Sequence, residues 1–187
     1  MRFVFNAEKT AQAAAYLINR HGGQLNYMVL IKLLYLSDRR SLIETGLPIT
    51  GDRMVSMDNG PVLSRILNQI NMGEPNGNDA PWYRYITEPK NYDIATKTAD
   101  VPTDELSQYE ISVLNDFDDK FGGWDKWRLV EWTHSLPEWH NPHGSMIPIS
   151  PDEILRAAGK SAEDIEAITA DAEEIWYLPR ELRRTVG

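Results

Sequence analysis

A lysine at position 32 interrupts an otherwise apolar run, MVLI-K-LLYL, and three chemistries are open to it. Its stem can lie along a core and deliver the ammonium to a rim, where it holds a carbonyl or a carboxylate. It can offer a cation to a ligand. In a closed pocket, desolvation could also depress its pKa to that of a catalytic amine. Tyr35 and Arg39 follow at i+3 and i+7, so the three make one polar stripe on a helix. Asp38 stands beside that stripe as a local partner for a cation. Together with His134, Lys32 and Asp38 form the acid–base set on which a small hydrolase or nucleotide-acting enzyme would rest.

Other candidate chemistry is thinner. His134, His140 and His143 fall within ten residues, and imidazole is a good zinc ligand. No helical spacing links all three and no supporting carboxylate is identifiable, so a polar loop is the preferred reading, without metal or cofactor. Glu131-x-x-His134 has the form of half a di-iron helix pair, but no second copy exists. G-x-S-x-G, the P-loop and H-E-x-x-H are all missing, which favours a non-enzymatic protein. In Asn59-Gly60-Pro61, Gly60 supplies a permissive backbone angle and Pro61 opens a helix. The free amides of that helix could hold an anion, although a neighbouring side chain more often caps them.

These residues need elements to position them. Asn6 caps a first helix that Gly22-Gly23 stops, and a buried helix runs from Tyr27 to Thr45, ended by Gly46. Two short extended pieces are expected around Thr50-Gly51-Asp52. The helix from Pro61 would carry Val62, Leu63, Ile66, Leu67 and Ile70 inward. WYRYIT and YDIATKT read as a two-stranded hairpin. Ser107 and Glu110 form a capping box for a helix to Phe121, and a tryptophan-rich helix follows. Trp127 and Trp132 lie about 140° apart on it, so they cannot share a face, and an exposed one would anchor a partner. Two more helices start at Ser150-Pro151 and Ser161. The fold class is therefore mainly α, a single compact helical domain over 1–187 with a small inserted β-hairpin. Its core covers about 7–168, and a basic tail, 177–187, carries Arg180, Arg183 and Arg184.

Charge and composition narrow the function. With 28 acidic against 19 basic residues the formal charge is −9, which argues against broad nucleic-acid binding and suits a basic partner. The absence of cysteine excludes disulfides, thiolate zinc sites and thiol nucleophiles, and favours a reducing compartment. No window reaches the ~18 apolar residues of a membrane span, and the first residues lack a signal-peptide pattern. A cytoplasmic protein is expected.

The ordered series KLLYLSDRR, GLPITGDRMVSMDNGPV, LSQYEISVLNDFDDKFGGW, LVEWTHSLPEWH and IPISPDEI resembles the Panacea domain, the SocA-like antitoxin family, from about Ala7 to Ile168. By motif position, Lys32, Tyr35, Asp38, Gly60, Pro61, His134 and Trp139 correspond to its characteristic residues, most of them expected to build the shared fold. The resemblance implies a type II antitoxin that binds a toxin encoded beside it. It also implies a family whose founding type presents its toxin to a Clp-type protease, with members in phages and mobile elements. An operator-binding regulator is a further alternative, against which the acidic charge speaks.

Overall fold

The computed structural model describes residues 1–73 and 80–178, so the basic tail expected over 177–187 lies mostly outside the described residues. Along the chain come α1 (Ala7–Arg20), β1 (Gln24–Asn26), α2 (Tyr27–Thr45), β2 (Met54–Met57), β3 (Gly60–Leu63) and α3 (Ser64–Met72). They are followed by α4 (Pro81–Tyr85), β4 (Asp93–Ala95), α5 (Gln108–Phe121), α6 (Lys126–His134), β5 (Ile147–Pro148), α7 (Pro151–Ala157) and α8 (Ala162–Tyr177). The described chain is mainly helical with a few short strands.

The helix α2 is the axis of the fold. Its residues Val29 to Asp38 are all buried, and it packs against α5, β3, α6, α1 and α7. Asn26, which the sequence reading did not single out, starts it by accepting from the Met28 amide, and Gly46 ends it in the left-handed region, as the sequence predicts. On α5, the capping box of Ser107 and Glu110 forms as expected, and Glu110 serves twice. One carboxylate oxygen accepts the Ser107 amide, and the other meets Lys9 of α1 at 2.9 Å in a buried ion pair. The local cap thus also fastens the first helix to the fifth.

Two small sheets edge the helices. Antiparallel β1 and β4 pair through Leu25 and Ile94, and β3-β2-β5 form a second sheet in that order. Here the structure corrects the sequence reading. Pro61 does not open a helix: Gly60–Leu63 is a strand, and the helix begins at Ser64. Proline is tolerated because β3 pairs on one side only, with Ser56 opposite Pro61, so no second ladder needs its missing N–H. WYRYIT likewise starts as the helical turn α4, opened by Pro81, and only Ile86 bridges to Thr96. Its expected partner strand pairs instead with β1. The extended piece expected near Thr50 lies a few residues later, at Met54–Met57.

The segment between α2 and β2 is held by a chain of carboxylates and hydroxyls. Asp38 accepts from both the amide and the hydroxyl of Thr50, and Thr50 Oγ1 accepts the Asp52 amide at 3.1 Å. Asp52 then caps α3, accepting the Arg65 and Ile66 amides at 3.0 and 3.1 Å. The N-terminal segment crosses this loop, donating from the Asn6 amide to Thr50 O. Gly51, at φ +67°, makes the crossing possible, because a Cβ there would lie 2.1 Å from Val4 O.

Candidate functional site

Five of the residues singled out from sequence meet at one place, where the hairpin β2–β3 lies against α2 and α6. Lys32 is 1% exposed and donates from Nζ to Pro61 O at 2.7 Å. His134, at the end of α6, donates from Nε2 to Asp58 O at 3.1 Å, in the turn of the hairpin. Trp139 stacks on the His134 ring, 3.9 Å between centroids, and donates from Nε1 to Met57 O at 3.1 Å. Three side chains thus supply donors to three hairpin carbonyls. Gly60 permits the close approach, since at φ +88° a Cβ would sit 2.6 Å from Thr133 Oγ1 and 2.8 Å from Lys32 Nζ.

One helical turn on, the rest of the stripe meets a residue that sequence reasoning missed. Glu138, whose side chain is wholly buried, accepts from Tyr35 Oη at 2.8 Å and from Arg39 Nε at 2.6 Å and Nη2 at 3.2 Å. The two Arg39 bonds form a bidentate fork, the stronger kind of charge-assisted contact. Trp139 is the next residue, so one short loop fastens α2 at Glu138 and the hairpin at Trp139. Further along it, the His140 amide donates to Ser56 Oγ and the Gly144 amide to Asp58 Oδ1.

Asp38 stands apart. It is fully buried and takes no cation, since Thr50 supplies its donors. It stands six positions beyond Lys32, about 9 Å along the helix and about 120° round it. The acid–base set of Lys32, Asp38 and His134 therefore does not assemble. Two shallow clefts of about 380 and 470 Å³ flank α8, and none of the three residues lines either one. The histidines are not gathered: His134 is engaged as above, His140 and His143 are exposed, and no cluster of three or more His, Asp or Glu among the described residues is placed to hold an ion. The amides at the start of α3 hold no place for an anion, because Asp52 caps them.

Burial sets the titration of this region. The Lys32 ammonium has one acceptor for three N–H groups, and burial lowers its pKa from 10.5 to about 7. Burial raises Asp38 from 3.8 to about 7, against the opposing bonds from Thr50. His134 is lowered first by burial and then by the neighbouring Lys32 charge, while its bond to Asp58 O works against them. Tyr35 is raised well above its usual range by burial and by Glu138.

Two measurements check this geometry. Removing Glu138 strands the Tyr35 hydroxyl and the Arg39 fork, so Glu138→Ala should cost about 3 kcal/mol in urea unfolding, and Glu138→Gln less. For Lys32, the unfolded chain binds more protons than the folded one between pH 7 and 10.5, so stability should rise with pH across that window. For Asp38 the folded state binds more protons between about 4 and 7, so stability should fall there as pH rises. In Lys32→Met the rise above pH 7 should vanish while the fall below it persists.

The model of the family described as antitoxin SocA-like, Panacea domain, matches residues 30–140. That span is more than half of the 187 residues and includes Lys32, Tyr35, Gly60, Pro61, His134, Glu138 and Trp139. No curated protein and no solved structure matches the chain. With the matched span running from the buried lysine of α2 to the tryptophan that closes over its hairpin, the chain belongs to the SocA-like antitoxin family of the Panacea domain.

Proposed function

We propose that this chain is the antitoxin of a type II toxin–antitoxin pair and neutralises a cognate protein toxin by binding it directly, without catalysing a reaction. The family match over residues 30–140 carries the reading. The disposition of the motif residues supports it: Lys32, Tyr35, His134 and Trp139 each donate to the protein's own hairpin or loop. Recognition then belongs to the surface, and the shared interior supplies a rigid platform for it. The formal charge of −9 suits a basic toxin, whose approach it would speed.

Inhibition by simple occlusion and delivery of the bound toxin to a Clp-type protease are two forms of this reading, and both need the same stable complex. A cytoplasmic location fits a chain in which no described helix is long and apolar enough to cross a membrane. The enzyme alternative loses support because Asp38 is committed to Thr50. Operator binding is opposed by the acidic charge.

Co-expression with the adjacent gene tests the proposal. The neighbour alone should arrest growth, and this chain should restore growth and co-purify with the neighbour's product. A harmless neighbour that does not bind would overturn the reading.

A further inference from the structure

Among the described residues, the exposed large apolar side chains are Met72, Tyr92, Trp127 and Met146. Of these, Tyr92 and Trp127, 63% and 54% exposed, share one neighbouring cation. Lys126 joins them, with its Nζ 5.0 Å from the Tyr92 ring centroid and 5.4 Å from that of Trp127. Tyr27, at the start of α2, lies behind Tyr92 with ring centroids 6.1 Å apart. On the same turn of α6, the exposed Arg128 covers Trp124 at 3.7 Å. Aromatic rings with cations over them make up the composition of interface hot spots.

The shelf is built rigidly. Tyr92 sits at φ +68° after Asn91 at φ +52°, both in the region that side chains other than glycine seldom adopt. Lys90 and Asp93 exchange both backbone hydrogen bonds across that turn, and Tyr92 O accepts the Tyr27 amide at 3.0 Å. A locked turn that displays a tyrosine toward solvent lowers the entropy cost of binding through it.

Charge selects the occupant. Neither Lys126 nor Arg128 has a carboxylate partner among the described residues, although the chain carries nine more acidic than basic groups. We infer that the Tyr92–Lys126–Trp127 shelf is the surface that receives the partner protein, which enters it with an apolar side chain flanked by a carboxylate. This rests on the antitoxin reading and names its contact surface. The overall negative charge acts on the approaching toxin at a distance, and the two cations act only in contact, within a Debye length of about 8 Å. Bases of a single-stranded nucleic acid could stack on the same rings, but a net charge of −9 repels its phosphates.

The test uses the full chain and the purified product of the adjacent gene, and compares Kd with melting temperature. Trp127→Ala should weaken binding by about thirtyfold and Lys126→Glu by at least ~10-fold, while Lys126→Arg stays within ~3-fold. Met146→Ala, equally exposed elsewhere, should leave binding unchanged, and all four variants should melt with the wild type. If the wild type binds and neutralises while both shelf variants do the same, the shelf is overturned and the antitoxin reading stands. If the wild type forms no complex, both fall. A fluorescent oligo-dT bound by the wild type and lost in Trp127→Ala would overturn the protein partner in favour of nucleic acid.

Discussion

Pro61 is buried in β3 against α2, and Lys32 Nζ brings its carbonyl the donor it needs. Much of the architecture follows from meeting that demand. The lysine must leave a helix that is apolar on nearly every side, so α2 has to lie at the centre. The hairpin backbone must come within reach, so position 60 has no side chain. His134 and Trp139 then take the next two carbonyls, Asp58 and Met57, which sets α6 and the loop after it against the hairpin turn. A buried amine with a single acceptor also tolerates being neutral, and burial alone accounts for the lowered pKa of Lys32.

The same economy separates scaffold from surface. Glu138 gathers Tyr35 and Arg39, Asp38 and Asp52 brace the loop between α2 and α3, and Glu110 ties α5 to α1. Glu138 and Glu110 join segments about a hundred residues apart, while Asp38 and Asp52 tie residues 12 to 14 positions away, and little polar capacity is left inside for a substrate. What faces outward, among the described residues, includes an aromatic shelf at Tyr92 and Trp127 with Lys126 over both rings. A stiff frame and such a face are what the binding role proposed above requires.

The sequence discloses the helices well where local rules suffice. The end of α2 at Gly46 and the start of α5 at the Ser107–Glu110 box follow from local signals, because caps and periodicity act over a few residues. Pro61 misleads because proline suits both the first turn of a helix and an edge strand, and only pairing with Ser56 decides between them. The aromatic WYRYIT misleads because packing of Trp82 and Tyr83, both buried, overrides strand propensity. The stripe of Lys32, Tyr35 and Arg39 is legible, but Glu138 lies 99 to 103 residues away and no local pattern marks it. Asp38 looks like a partner for a cation until the loop brings Thr50 to it. The ordered motif series, by contrast, reveals the family directly, since it reflects the whole fold at once.

Native-state hydrogen exchange on Lys32→Met tests most directly whether this lysine fastens the hairpin. The substitution keeps the apolar stem and removes the donor, leaving Pro61 O unpaired at a cost of about 1–3 kcal/mol. The amides of Met54–Met57 and Val62–Leu63 should then lose protection ahead of those in Gln108–Phe121, as the hairpin opens while the helical core holds. Unchanged hairpin protection, or an equal loss in both segments, would contradict the account.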